Sequence, residues 1–273
     1  MQSQTGLAKM KPKPDHLGLK YAEQFKDSSV VEVYQHRLPY ADEAINKLIA
    51  LAIDKPRAIL DVGCGTGDLA RRLVSQVERV DAVDFSSSMI DKGKTLPEGD
   101  NHNLNWIFGR AEEVELLPPY ALITAGESLH WMEWDIVLPL FLRILAPHGY
   151  LALVTRDTED NSWDDRLQDL INRFSTNQEY LPYDLVEELE LRHLFQPCGL
   201  LVTEPILIEQ SGEDYVQSLH SRNGFSKERM GEEAVMVFDE EARKVISPFL
   251  QDGQLILSAV SIVVWGLPQK PDA

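Results

Sequence analysis

A short apolar run, Ala58-Ile59-Leu60-Asp61-Val62, leads directly into Gly63-Cys64-Gly65-Thr66-Gly67, and then into a helical pattern through Leu69, Ala70, Leu73 and Val74. Strand, glycine turn and helix in that order open a parallel α/β unit. Its glycines stand where missing Cβ atoms let the backbone approach a ligand. The spacing is GxGxG, whereas a dinucleotide fingerprint reads GxGxxG, and Asp68 occupies the place of that last glycine. The difference has a chemical meaning. A pyrophosphate is held by N–H groups at a helix start, and the Asp61 carboxylate just before the turn would repel it while suiting an ammonium group.

The alternation continues. A second strand is predicted at Arg79 to Asp84, then a helix opened by the N-cap serines Ser86-Ser87-Ser88 and closing near Lys94. Further strands are predicted at Leu104 to Phe108, Ala121 to Gly126 and Tyr150 to Thr155, with a helix at Ile136 to Leu145 between the last two. Past Thr155 the pattern changes to helical stretches at about 161–197 and 212–250, each followed by a strand, Leu200 to Glu209 and Leu255 to Trp265. The expectation is an α/β fold: a doubly wound, mostly parallel, seven-stranded sheet with two helical lid insertions, forming one domain over 21–273. Residues 1–20, with Lys-Pro-Lys-Pro and few apolar side chains, read as a flexible tail, and Tyr21 to Leu51 as helical.

Charge narrows the partners. With 44 acidic against 26 basic side chains the net charge is −18. Such a surface repels nucleic acid and anionic lipid over about 8 Å at physiological salt. The apolar run near Leu255 to Trp265 is shorter than the ~20 residues a bilayer span needs. The expected partner is therefore a small-molecule acceptor, with no nucleic acid and no membrane, on a monomer or homodimer. Cys64 and Cys198 have no CxxC spacing, and Met1 to Lys13 has no apolar signal-like core, which together suit reduced thiols and a cytoplasmic location. Seven scattered histidines without HxxxH predict no metal site.

Asp84, ending the second strand, can accept both hydroxyls of a ribose; a helix-capping or surface carboxylate is the plainer alternative. Here a resemblance becomes specific. Ile59 to Gly67 resembles the first motif of class I S-adenosylmethionine-dependent methyltransferases, particularly the type 11 group. Val83-Asp84-Phe85-Ser86 with Met89-Ile90, and Gly109-Arg110-Ala111-Glu112, are similar to later motifs of that group. Ser128-Leu129-His130-Trp131 and Tyr34-Gln35-His36-Arg37-Leu38-Pro39-Tyr40 resemble the branch containing trans-aconitate methyltransferase-like proteins.

The resemblance implies the Rossmann-like methyltransferase fold and S-adenosyl-L-methionine as cofactor. It assigns Asp61 and Gly63 to the methionine moiety, Asp84 to the ribose, Phe85 and Met89 to the adenine, and Ala111 with Glu112 to the adenine's polar edge, and it counts Cys64, Gly65 and Glu127 among the cofactor-binding residues. Arg37 is the candidate clamp for the cofactor's carboxylate, and Glu127 with Ser128 borders the site. Many relatives carry Asp where this chain has Arg110, so the adenine amino contact moves to Glu112. Relatives often carry Asp where Ala121 stands, a structural position.

The implied reaction is methyl transfer to a small molecule, expected as O-methylation of a carboxylate or hydroxyl. N- or C-methylation and a catalytically silent, cofactor-binding scaffold are the alternatives. An NAD-dependent oxidoreductase is opposed by the turn spacing and by Asp61. His130, at the carboxyl end of the fourth strand, is the candidate catalytic residue: a hydroxyl acceptor would need a base, a carboxylate acceptor would not. Trp131, Trp134 and Trp163 read as acceptor-pocket walls or plain core. Arg222, in His220-Ser221-Arg222-Asn223, reads as an anchor for an acidic acceptor or as a solvated helix face.

Overall fold

Each residue of the first predicted strand is buried, which is what a near-continuous Ile/Leu/Val run gives in a parallel sheet covered on both faces. The computed structural model describes residues 13–181 and 183–270. Its strands are β1 (Ala58–Val62), β2 (Arg79–Asp84), β3 (Leu104–Phe108), β4 (Tyr120–Gly126), β5 (Leu145–Thr158), β6 (Phe195–Val202), β7 (Ile206–Ser211) and β8 (Gln254–Pro268). The sheet runs β3-β2-β1-β4-β5-β8-β6, and β7 also pairs with β8. Neighbours from β3 to β5 are parallel; β8 is antiparallel to β5, β6 and β7. The chain winds outward from β1 through β2 to β3, then returns to β1's other side at β4. That reversal opens a crevice at the carboxyl ends of β1 and β4, where open α/β sheets bind ligands.

The sheet has eight strands, not seven, because the predicted run Leu200 to Glu209 is two strands. Pro205 lies in the gap between β6 and β7, where its missing N–H cannot serve a ladder. Both pieces still find a partner, since β8 is long enough to pair with β7 through Ala259 and with β6 from Ile262 onward.

The helices are α1 (Leu19–Ala22), α2 (Ser28–Val33), α3 (Asp42–Leu51), α4 (Ala70–Leu73), α5 (Ser87–Lys94), α6 (Trp134–Ile144), α7 (Asp164–Phe174), α8 (Leu185–Leu191), α9 (Gly212–Leu219), α10 (Lys227–Met230) and α11 (Glu232–Ile246). The Tyr21 to Leu51 stretch is thus three helices rather than one, with Pro39 in the break before α3. On α3, Ala44, Ile45, Leu48 and Leu51 form the buried stripe. At α5 the Ser86 hydroxyl accepts from Met89 N–H at 3.4 Å, a serine N-cap.

The tail expectation needs correction over part of its length. Residues 1–12 lie outside the described residues, but Asp15–Leu17 forms a 3₁₀ turn and Leu17 is buried in the main core. One apolar side chain suffices to anchor a turn that composition alone reads as loose. The two stretches expected as lid insertions pack in different places. α7, α9 and α11 share a separate apolar core of Trp163, Leu167, Tyr215, Phe225 and Phe238, closed underneath by Leu255 and Leu257 of β8. α8 does not join it; Leu189 is buried in the sheet's own core with Phe141 and Phe195. Among the described residues no helix is long and apolar enough to cross a membrane.

Candidate functional site

The turn after β1 holds the site's floor. Gly63 and Gly65 adopt φ of 63° and 57°, a left-handed conformation that costs other residues about 1–2 kcal/mol. Space excludes a side chain at Gly63 as well, because a Cβ there would lie 2.5 Å from the Ser128 Cβ. Asp84, at the end of β2, fastens this turn to the next. Its Oδ2 accepts from Gly65 N–H at 2.7 Å and its Oδ1 from Ser86 N–H at 2.8 Å. Burial pushes its pKa up to about 6, while the backbone donors of Ser86, Gly65 and Phe85 pull the other way. Each carboxylate oxygen keeps a further lone pair for a ligand donor.

Above this floor is an inner cavity of about 360 Å³, within the ~300–1,000 Å³ typical of small-molecule sites. Arg37, Gly63, Gly65, Asp84, Phe85, Met89, Ala111, Glu112 and Glu127 all line it. Glu112 is fixed from two sides: its Oε1 accepts from Glu133 N–H at 2.9 Å and from Arg110 Nη2 at 3.2 Å. Burial alone would raise its pKa, but these donors hold the carboxyl below its ordinary range. Arg110, the residue that departs from the family pattern, thereby positions the acid that was expected at the adenine edge.

Asp61 and Cys64 do not line the inner cavity. They border a separate void of about 10 Å³ under the turn, with Tyr40, Asp68 and Arg156. Thr124 stands beside Asp61 in the β1–β4 register, and its hydroxyl donates to Asp61 Oδ1 at 2.8 Å. Burial pushes the Asp61 carboxyl up to about 7, opposed by Thr124 and the Ala70 N–H. Cys64 is buried, and burial pushes its thiol up, away from the reactive thiolate.

Arg37 also differs from expectation. Instead of an open clamp it is one side of an ion pair: Nη2 donates to Glu127 Oε2 at 2.5 Å and Nη1 to the Tyr34 hydroxyl at 2.9 Å. Arg156, with its side chain 6% exposed, reaches the same Glu127 Oε2 through Nε at 3.3 Å and Asp68 Oδ2 through Nη1 at 3.2 Å. Burial would raise the Glu127 pKa, but the Arg37 and Arg156 guanidiniums hold it down, and the carboxylate stays ionised. Glu127 has φ of 51°, a strained conformation for a non-glycine residue and one that clusters at functional sites.

The candidate catalytic residue His130 lies outside the cavity. Its ring packs against Trp131 at 4.5 Å between centroids and faces Tyr183 at 6.3 Å. Burial pushes its pKa down to about 3, so the imidazole is neutral and a weak base. Trp131 lines the inner cavity, whereas Trp134 and Trp163 are core, their indole N–H groups donating to Leu129 O and the Tyr215 hydroxyl.

The N-terminal segment supplies walls that sequence reasoning missed: Ala22, Phe25 and Lys26 line the inner cavity. α10 and the residues between α9 and α10 hold this segment down. Asp27 Oδ2 accepts from Arg229 Nε at 2.7 Å, Glu228 Oε1 from Ser29 N–H at 2.9 Å, and Gln24 Oε1 from Gly224 N–H at 2.8 Å. Also missed is an outer cavity of about 500 Å³ lined by residues of β5, α7, β7 and α9, which shares Arg37 and Glu127 with the inner one. Its other polar walls include Arg156, Asp157, Asp160, Asp164, Gln210, Tyr215 and Arg222.

Residues 59–149 match the family model of a methyltransferase domain. An uncharacterized methyltransferase of Mycobacterium bovis is 35% identical over 150 residues, which make up 53% of this chain and 58% of that protein. A malonyl-acyl-carrier-protein O-methyltransferase of Halalkalibacterium halodurans is 33% identical over 111 residues, 38% of this chain and 41% of that protein. The matched part thus spans little more than half of the first relative and less than half of the second. A solved structure from Anaeromyxobacter dehalogenans, named as a candidate type II methyltransferase, has a TM-score of 0.56 at 20% identity, over 85% of this chain and 99% of that one. That likeness speaks for the fold.

Proposed function

We propose that this protein, whose residues 59–149 match the family model of a methyltransferase domain, transfers a methyl group from S-adenosylmethionine to a small-molecule acceptor. The observation that carries the reading is the pair of cavities meeting at Arg37 and Glu127. The inner one fits an adenosine joined to a charged amino acid. It offers a backbone floor bare of side chains at Gly63 and Gly65, ribose acceptors on Asp84, apolar walls at Phe85 and Met89, and a fixed acid at Glu112. The ammonium partner expected of Asp61 falls instead to Glu127, which is ionised and on the wall, beside the remaining N–H donors of Arg37.

When bound, the cofactor supplies a methyl group on a sulfonium, a leaving group that needs no further activation. What the protein adds is placement. An acceptor held about 3 Å away in the outer cavity gains a proximity effect of roughly 7–11 kcal/mol. Carboxylate O-methylation is the favoured reaction. A carboxylate oxygen would bring its own electron pair to the methyl group, so no residue of this chain has to move a proton. A carboxylate, with a pKa of about 4, arrives ionised, and no histidine is among the described residues lining either cavity. The relatives named O-methyltransferases agree with oxygen as the accepting atom. A net charge of −18 disfavours a nucleic-acid acceptor.

Calorimetric titration tests the reading. S-adenosylmethionine and S-adenosylhomocysteine should bind one site each, and NAD should not; NAD binding in their place would overturn the assignment. A companion prediction concerns His130. His130→Ala should change kcat/KM by less than about threefold, under ~0.7 kcal/mol of barrier, and leave the pH profile unmoved. Loss of a neutral-range limb in that profile would return His130 to the mechanism.

The affinity itself should depend on pH. Ribose hydroxyl donors favour ionised Asp84, so binding weakens as pH falls through about 6, approaching roughly tenfold per unit below it. The stability sign runs oppositely. Raised above its ordinary 3.8, the Asp84 carboxyl binds a proton more tightly folded than unfolded, so its contribution to stability falls as pH rises from 3.8 to about 6. Titrations of S-adenosylhomocysteine between pH 5 and 8 check the affinity, and the difference in melting temperature between wild type and Asp84→Asn over the same range checks the stability sign.

A further inference from the structure

The outer cavity carries polar groups of both signs that no side chain among the described residues claims, Arg222, Asp157 and Asp160 being open to solvent there, and together they describe a ligand. Arg37 and Arg156 are already balanced there by Glu127 and Asp68. Arg222 is different: among the described residues its guanidinium has no ion pair and no side-chain hydrogen bond, although it lines the cavity. Beside it, the Tyr215 hydroxyl accepts from Trp163 Nε1 at 3.0 Å, which leaves its own proton free to donate. Asp164 lines the same cavity as Arg222 and Tyr215. Acceptors face them. Asp157 commits one oxygen to Thr158 N–H at 2.8 Å, and Asp160 has no partner among the described residues. Gln210 donates through Nε2 to His36 O at 2.7 Å, which leaves its Oε1 buried without a donor.

A simple carboxylic acid would answer Arg222 and leave Asp157, Asp160 and the Gln210 oxygen without a ligand donor, whereas Asp164 already accepts from Asn161 N–H at 2.7 Å and from the Asn161 side-chain amide. A simple amine would do the reverse. Resting on the reading of this space as the acceptor cavity, we propose that the acceptor carries an amino-acid head group, its carboxylate on Arg222 and Tyr215 and its ammonium on the Asp157–Asp160–Asp164 side, with the methyl-accepting oxygen directed to the Arg37–Glu127 wall. The head group is an anchor and is not itself methylated. Arg222 and Asp164 are specificity-determining residues that touch neither the cofactor nor the reacting oxygen.

Three probes separate the parts. L-glutamate has the head group and a distal carboxylate, glutarate lacks the ammonium, and 4-aminobutanoate lacks the α-carboxylate. Each is titrated into protein saturated with S-adenosylhomocysteine. L-glutamate should bind at least about tenfold more tightly than either deletion, ~1.4 kcal/mol per lost anchor. Arg222→Gln should abolish its advantage over 4-aminobutanoate, and Asp164→Asn should reduce its advantage over glutarate. Glutarate binding as tightly as glutamate, no binding by any probe, or indifference to both substitutions would overturn the amino-acid head while leaving methyl transfer standing. Failure of S-adenosylhomocysteine itself to bind would overturn the functional reading on which the proposal rests.

Discussion

Asp84→Asn should weaken S-adenosylhomocysteine binding by about two orders of magnitude and lower the melting temperature of the free protein by roughly 3–12 °C. The asymmetry of an amide accounts for both effects. Asp84 presents two oxygens to two backbone donors, Gly65 N–H at 2.7 Å and Ser86 N–H at 2.8 Å. Asparagine has one oxygen, so one of those N–H groups would face an NH₂. Losing a charge-assisted bond at a buried site costs about 1.5–3 kcal/mol, and a protein of this size loses roughly 2–4 °C per kcal/mol. Binding suffers in addition, because the glycine turn that forms the cavity floor is held by Gly65 and because the ribose acceptors fall from two oxygens to one. A combined loss of ~3 kcal/mol is about a hundredfold in Kd. Calorimetry at pH 7.5 and a thermal melt of the same sample provide the check. Unchanged affinity would mean that the ribose does not sit at Asp84.

Why this residue was legible from sequence, and others were not, follows from the range over which each constraint acts. The strand, the GxGxG turn and the following helix are written in consecutive residues, as is the acid closing β2, so the inner floor could be read directly. Phe85, Met89, Ala111 and Glu112 follow from motif similarity, and all four line the cavity. Asp61 was misread because a strand residue's facing depends on its neighbour. Thr124, on a strand 63 residues away in the chain, claims its carboxylate. His130 was misread because sequence places it at the right end of β4 but cannot tell that the ring turns towards Trp131 and Tyr183. The outer cavity is the extreme case. Its walls come from β5, α7, β7 and α9, and no local pattern connects Asp157 with Arg222 before the apolar core shared by α7, α9 and α11 has assembled.

The largest loss of stability is expected from Arg156→Ala, about 3–5 kcal/mol, the usual result of removing one partner from a buried ion pair. Arg156 holds two carboxylates at once, Glu127 through Nε and Asp68 through Nη1, and its guanidinium also stacks on the Tyr40 ring at 4.3 Å. Without it, Glu127 keeps only Arg37, and Asp68 keeps Arg71 at 3.3 Å. Lysine should not rescue. A single ammonium cannot present the planar fork that spans both acids, nor stack as a guanidinium does. Because much of the cost is uncompensated charge rather than lost attraction, removing the charge should recover part of it. Glu127→Gln combined with Arg156→Met is therefore expected to be less destabilised than the sum of the two single variants, by about 1–3 kcal/mol in a double-mutant cycle. Denaturant melts of the four proteins measure that coupling. If the two effects simply added, Glu127 and Arg156 would be independent, and the wall between the two cavities would not be the single electrostatic unit its distances describe.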